Sequence, residues 1–215
     1  MNDQQRVLGH LAFNYRPGDG PVAAKIFEAL GCRVEDSGPV NEGGSLYTVL
    51  VDPTTASFVD NVFYLSPVRP EQAAFEDKLA SLLKLGKADE DQSFKAFRAL
   101  KAREPEMFFH GALRYASLEA LERALQALTE LAKREPKLEG RVSIVRFKPR
   151  SEASAEVNAR IAASPVFRSD DRPSFGDFAI QVFIHTDIFG GEVLAFGQTL
   201  ELDYLFPQQL GQAAE

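Results

Sequence analysis

The sequence predicts an α+β fold assembled from two matching halves. Apolar residues recur at period two, then at helical spacing, then at period two again, so strands and helices alternate along the chain. The opening of one half also recurs in the other. His10-Leu11-Ala12-Phe13-Asn14-Tyr15 matches His110-Gly111-Ala112-Leu113-Arg114-Tyr115, and Asn61-Val62-Phe63-Tyr64-Leu65-Ser66-Pro67 matches Glu201-Leu202-Asp203-Tyr204-Leu205-Phe206-Pro207. The chain has 215 residues, 45% apolar and 26% charged, which is enough to bury a sizeable core. Seventeen Phe and no Trp imply an interior filled by phenyl rings.

In order, Val7 to Tyr15 alternates Leu11 and Phe13 against His10, Ala12 and Asn14, which predicts a strand. Arg16 to Gly20 is a turn cluster. Val22, Ile26, Phe27 and Leu30 then mark a helix that Gly31 caps. Ser45 to Asp52 and Asn61 to Ser66 read as further strands. Pro70 to Glu104 predicts two helices, one with Phe75, Leu79, Leu82 and Leu83, the other with Phe94, Phe97 and Leu100. Their charged stretches, Glu76 to Lys87 and Lys95 to Glu104, read as solvated faces. A strand restarts over Met107 to Tyr115, and Ser117 opens a helix carrying Leu118, Leu121, Leu125, Leu128 and Leu131. Val142 to Phe147 predicts a strand and Ala153 to Ala163 a short helix. Phe178 to Thr186 and Glu192 to Phe206 predict the closing strands. The expected organisation is therefore 1–68 and 106–207 as the two halves, 69–105 as a helical bridge, an insertion near 137–175, and a frayed tail at 208–215.

A net charge of −7 argues against a nucleic-acid partner, which needs a basic footprint. No stretch approaches the length of a membrane span, and Met1 to Arg6 is not followed by a signal-like apolar run, so a cytoplasmic location is the expectation. Cys32 has no second cysteine to pair with and reads as a small buried thiol at a helix end.

A repeated unit with a His near the start of each copy and a carboxylate on its last strand resembles the vicinal oxygen chelate superfamily, which includes glyoxalases, bleomycin-binding proteins and extradiol dioxygenases. Gly9-His10-Leu11-Ala12-Phe13 is similar to the family's opening strand. Ala23 to Gly31 is similar to its Phe-x-x-Leu-Gly helix, and Gly197-Gln198-Thr199-Leu200-Glu201-Leu202 to its closing Gly-x-x-x-Glu strand. The resemblance implies two βαβββ modules forming a curved mixed sheet around a central cavity, with helical insertions.

It also implies that His10, His110 and Glu201 bind a divalent metal ion, with Asn61 at a fourth position too short for a good ligand, where it would instead meet substrate. Two imidazoles and a carboxylate suit Fe(II) above all, with Mn, Zn, Ni or Co as alternatives. His185, 16 residues ahead of Glu201, resembles the catalytic histidine of extradiol dioxygenases; its other reading is a surface residue beside a turn. The Tyr and Asp-Pro pair of that family's signature are missing before Gly197. Arg114 shares a strand face with His110 and is read either as a clamp for an anionic substrate or as an ion-pair partner of Asp203 or Glu201.

Three functions follow from the resemblance: an iron-dependent dioxygenase opening a catecholic ring, a metal-dependent isomerase or lyase working through an enediolate, or a binding protein without chemistry. In each, the expected partner is a small anionic or aromatic molecule, with no nucleic acid and no membrane, and with a homodimer left open.

Overall fold

The computed structural model describes residues 8–54, 59–174, 176–190 and 198–206. Its first half runs β1 (His10–Tyr15), α1 (Gly20–Ala29), β2 (Arg33–Asn41), β3 (Gly44–Leu50) and β4 (Val62–Pro67). Two helices follow, α2 (Pro70–Leu82) and α3 (Gln92–Arg103). The second half runs β5 (His110–Arg114), α4 (Leu118–Arg134), β6 (Val142–Lys148), α5 (Ala155–Ala162), β7 (Arg172–Pro173), β8 (Ala179–Thr186), β9 (Phe189–Gly190) and β10 (Thr199–Leu205). The result is a mixed α+β fold with two five-stranded sheets, in the orders β2-β3-β4-β1-β9 and β5-β10-β8-β6-β7. In each sheet the first strand of its half runs parallel to the last, β1 beside β4 and β5 beside β10. Among the described residues no helix is long and apolar enough to cross a membrane.

Strand alternation sets which side of each sheet faces the core. On β1, Phe13 and Tyr15 are fully buried while His10, Ala12 and Asn14 face the other way. Pro21 starts α1 with a ring suited to the first helical turn, and Gly31, at φ 90°, takes the left-handed conformation just beyond its end. Ser117 Oγ accepts the Ala120 N–H at 3.1 Å to cap α4, whose leucines 118, 121, 125, 128 and 131 are buried in one stripe. Helices α1 and α4 pack together, and a single apolar core runs beneath both sheets.

The two halves are tied through that core. Phe13, Phe27 and Phe63 form a ring cluster, with centroids 5.3–6.3 Å apart. Phe189, from the second half, enters the cluster 5.8 Å from Phe13 and 5.5 Å from Phe27, because β9 leaves β8 to pair antiparallel with β1. On β5, a Cβ at Gly111 would lie 2.8 Å from the Phe13 ring and 3.0 Å from that of Phe63. Only glycine allows β5 to approach the first half this closely.

Three features depart from the sequence expectation. Arg33–Asn41 is an edge strand that the alternation does not announce, broken by register shifts around Pro39 and carrying Gly38 at φ 95°. Helix α2 does not bury its apolar residues: Phe75 and Leu82 are exposed, while Glu76, expected on a solvated face, is buried and accepts a hydrogen bond from Gln72. Glu90 is likewise buried, receiving Arg98 through two bonds of 2.8 and 2.9 Å that fix the loop ahead of α3. The closing-strand residues 192–197 and the tail 208–215 lie outside the described residues.

Gly111→Val should destabilise the protein by about 1–3 kcal/mol in urea unfolding, the usual cost of overpacking a filled core. A variant as stable as the parent would show that β5 does not rest against Phe13 and Phe63.

Candidate functional site

The core-facing side of the second sheet is apolar, carrying Leu113, Ile180, Val182, Ile184, Leu200 and Leu202. Alternation therefore sends the polar residues of the same strands to the opposite face. Strand register aligns them in rows. His110 stands beside Thr199, Thr199 beside His185, and His185 beside Ser143. The next row holds Ala112, Glu201, Phe183 and Val145, and the third Arg114, Asp203, Gln181 and Phe147. Helix α3 stands over part of this face, leaving a solvent-open cavity of about 550 Å³ between Phe94, Phe97 and Lys101 on one side and Val145, His185 and Thr199 on the other.

His110 and Glu201 are in direct contact, Nε2 to Oε2, at 2.8 Å. The other ring nitrogen, Nδ1, lies 2.6 Å from the Phe108 carbonyl oxygen, which can only accept, so Nδ1 carries a hydrogen. Gln181 Nε2 donates to Glu201 Oε1 at 2.8 Å, and the Phe183 ring packs edge-on against the imidazole with centroids 5.7 Å apart. The His110 side chain is 24% exposed and that of Glu201 only 5%, so a solute can reach the imidazole while the carboxylate stays out of water. With Nδ1 already a donor, a 2.8 Å contact to Glu201 requires one proton between the two groups. The pair is thus built to give up or take back a proton at an accessible edge.

Asp203 lies on the Glu201 side of the same strand. Burial, and then the neighbouring Glu201 charge, push its carboxyl well above the ordinary range, to about 8, against a lowering effect of Arg114. Its Oδ1 finds no hydrogen-bond partner among the described residues. Arg114 is exposed beside Asp203 and does not line the cavity under α3.

His185 is half-buried near the end of β8, just ahead of the bend at 187–188. It sits within β8, facing the cavity, and burial, followed by the Lys101 and Arg172 charges, lowers its pKa to about 4. It is therefore neutral at neutral pH and offers hydrogen bonds, not the near-neutral titration expected of it. Cys32 is buried, and burial pushes its thiol up to about 12, which leaves it unreactive.

The expected metal triad is not assembled. His10 lies on the exposed side of β1 in the other sheet, its ring 5.0 Å from that of Tyr64. Among the described residues no group of three or more His, Cys, Asp or Glu side chains stands close enough to hold a metal ion. His110 and Glu201 present two converging donors, but this set does not fit a centre with three protein ligands. Asn61 takes φ 54°, a left-handed conformation that Asn tolerates, and its N–H donates to Leu8 O at 2.8 Å. It serves there as a turn residue at the start of β4. Sequence reasoning did not single out Gln181, Thr199 or the Phe108 carbonyl. The period-two alternation of β8 and β10 carries a signal for the first two, and nothing in the sequence marks the third.

Comparison of the chain with protein-family models, curated proteins and solved structures finds no match.

The two displaced pKa values give the stability opposite slopes. His185 stays neutral to about 4 when folded, against 6.5 ordinarily, so its contribution is complete above 6.5 and is lost as pH falls toward 4. Asp203 keeps its proton to about 8 when folded, against 3.8 ordinarily, so stability falls as pH rises from 3.8 toward 8. Thermal melts from pH 4 to 8 should show the acid slope reduced in His185→Gln and the alkaline slope reduced in Asp203→Asn. Unchanged slopes would contradict the burial of these groups.

Proposed function

We propose that this chain has the paired βαβββ architecture of the vicinal oxygen chelate superfamily. In this reading it handles a small molecule on the polar face of the second sheet, with His110 and Glu201 moving a proton in an isomerase- or lyase-type reaction. The architecture is supported by the repeated element order and by the strand order, since β2-β3-β4-β1 has its counterpart in β6-β8-β10-β5. In this reading α5 and β7 are insertions in the second module.

The observation that carries the chemistry is the orientation of His110. The Phe108 carbonyl fixes one nitrogen and Glu201 engages the other, with Gln181 holding the carboxylate in place. A positioned pair of this kind suits abstraction of a proton from carbon next to a carbonyl and its return from the same side. The C–H bond breaks as the Glu201 carboxylate takes the proton, and its electron pair passes into the enediolate. The His110 Nε2–H donates to the enediolate oxygen, and the proton then returns from Glu201 to carbon. Proton transfer is preferred to ring opening because His110 and the buried Glu201 carboxylate serve it as they stand. The iron chemistry of the ring-opening reading calls for His10 at the same point. No step here runs through a metal ion.

The reading is tested by incubating the protein in deuterated water with α-hydroxy ketones and 2-oxo acids and following loss of the proton beside the carbonyl by NMR. The wild-type protein should catalyse exchange with at least one compound, and His110→Gln should slow it by ~10²–10⁴-fold, the usual contribution of a positioned acid or base. Absence of exchange across the panel, or exchange indifferent to His110→Gln, would overturn the reading.

A further inference from the structure

We infer that the cavity between α3 and the second sheet binds an uncharged molecule through a hydroxyl group that bridges Thr199 Oγ1 and His185 Nε2. This class of ligand deepens the reading above and rests on it, since His110 is the group beside which the molecule is seated.

Two buried polar atoms locate the contact. Thr199 is fully buried, yet its Oγ1 finds no hydrogen-bond partner among the described residues, and the same is true of His185 Nε2. The two residues are cross-strand neighbours on β10 and β8, and both line the cavity. A buried hydroxyl or imidazole nitrogen left unsatisfied is costly, so the pair marks a place where a ligand's polar group completes the set. Ser143 stands opposite His185 on β6 and also lines the cavity. Three uncharged hydrogen-bonding side chains thus stand in one row, neighbours separated by a strand spacing of ~4.8 Å.

The ligand's lack of charge follows from which groups are unmet. Each cationic side chain on the described lining is already engaged. Arg98 holds Glu90, Arg141 holds Asp19 at 2.8 Å and Asp187 at 2.7 Å, and Lys101 likewise has an interaction of its own. Burial above all lowers the His185 pKa to about 4, so its imidazole is uncharged at neutral pH. What remains is a hydroxyl and a neutral ring nitrogen, and neither supplies the counter-charge that a desolvated ion needs.

A hydroxyl group suits both atoms whichever ring nitrogen of His185 carries the hydrogen. If Nε2 carries it, the ligand oxygen accepts from Nε2 and donates to Thr199 Oγ1. If Nε2 is bare, the ligand hydroxyl donates to it and accepts from the threonine. A carbonyl or carboxylate oxygen can only accept, and so fails in the second case. Thr199 also stands beside His110 on β5, so a molecule whose hydroxyl is seated here extends toward the proton-handling pair. About 550 Å³ is within the usual range for small-molecule pockets.

The test is an NMR titration of isotopically labelled full-length protein, observing the His185 imidazole and the Thr199 methyl group. The probes are hydroxyacetone, acetone, which lacks its hydroxyl, and glycolate, in which a carboxylate replaces its acetyl group. Hydroxyacetone should shift both signals and bind at least ~10-fold more tightly than either of the others, the effect of one hydrogen bond to an otherwise unpaired partner. Thr199→Val should weaken hydroxyacetone ~10-fold and leave acetone nearly unchanged. The same substitution should cause no loss of stability in urea unfolding, because the hydroxyl it removes has no partner to lose. Thr199→Ser should retain most of the preference. Hydroxyacetone that binds no better than acetone, or that moves neither signal, would overturn the hydroxyl contact, and glycolate binding as tightly would overturn the absence of charge. A Thr199→Val protein that is destabilised would show that the hydroxyl is already satisfied within the fold, which also overturns the inference. These failures are separate from that of the proton-transfer reading, which depends on His110→Gln in the exchange experiment and not on Thr199.

Discussion

The contact of Gly111 with the rings of Phe13 and Phe63 is the constraint on which the rest of the structure depends. A side chain at that position would hold β5 away from the first half. Its absence lets the second sheet lean on the phenyl cluster of the first, and Phe189 closes the joint from the other direction. Neither half supplies the whole cluster, so the halves share one core rather than owning two. A pooled core of this kind favours cooperative unfolding, because opening either sheet exposes rings that the other buries.

Committing one side of the second sheet to that core has a chemical consequence. Leu200 and Leu202 face inward, so Thr199, Glu201 and Asp203 must face the other way, and the register of β5, β8 and β10 sets His110, Gln181 and His185 among them. These polar groups would be solvated on an open sheet. Packing withdraws several of them from water instead, which raises the Asp203 pKa, lowers that of His185 and leaves Thr199 Oγ1 without a partner among the described residues. The same arrangement therefore produces both the His110–Glu201 contact and the cavity that His185 and Thr199 line.

Local periodicity made much of this legible. The strands around His10 and His110, the leucine stripe of α4, the caps at Gly31 and Ser117, and the shared face of Thr199, Glu201 and Asp203 all follow from spacing within one segment. What the spacing does not contain is pairing between segments. His10 and His110 occupy similar places in their own halves, yet β1 belongs to one sheet and β5 to the other, and among the described residues no group of three His, Cys, Asp or Glu stands together. The edge strand at Arg33–Asn41 was hidden by its Gly, Pro and charged residues, which edge positions accept and central strands do not. The burial of Glu76 and Glu90 was hidden because it depends on partners, Gln72 and Arg98, whose placement only the tertiary packing determines.

With only three histidines in the chain, each imidazole can be followed individually. Nitrogen-15 spectra of the three rings, recorded for the wild-type protein and for Glu201→Gln, test directly whether Glu201 is the partner of His110. The account predicts that His110 carries hydrogen on Nδ1, that Glu201→Gln shifts its Nε2 resonance, and that His10 does not move. A substitution that leaves His110 unchanged, or that shifts His10 as strongly as His110, would contradict it.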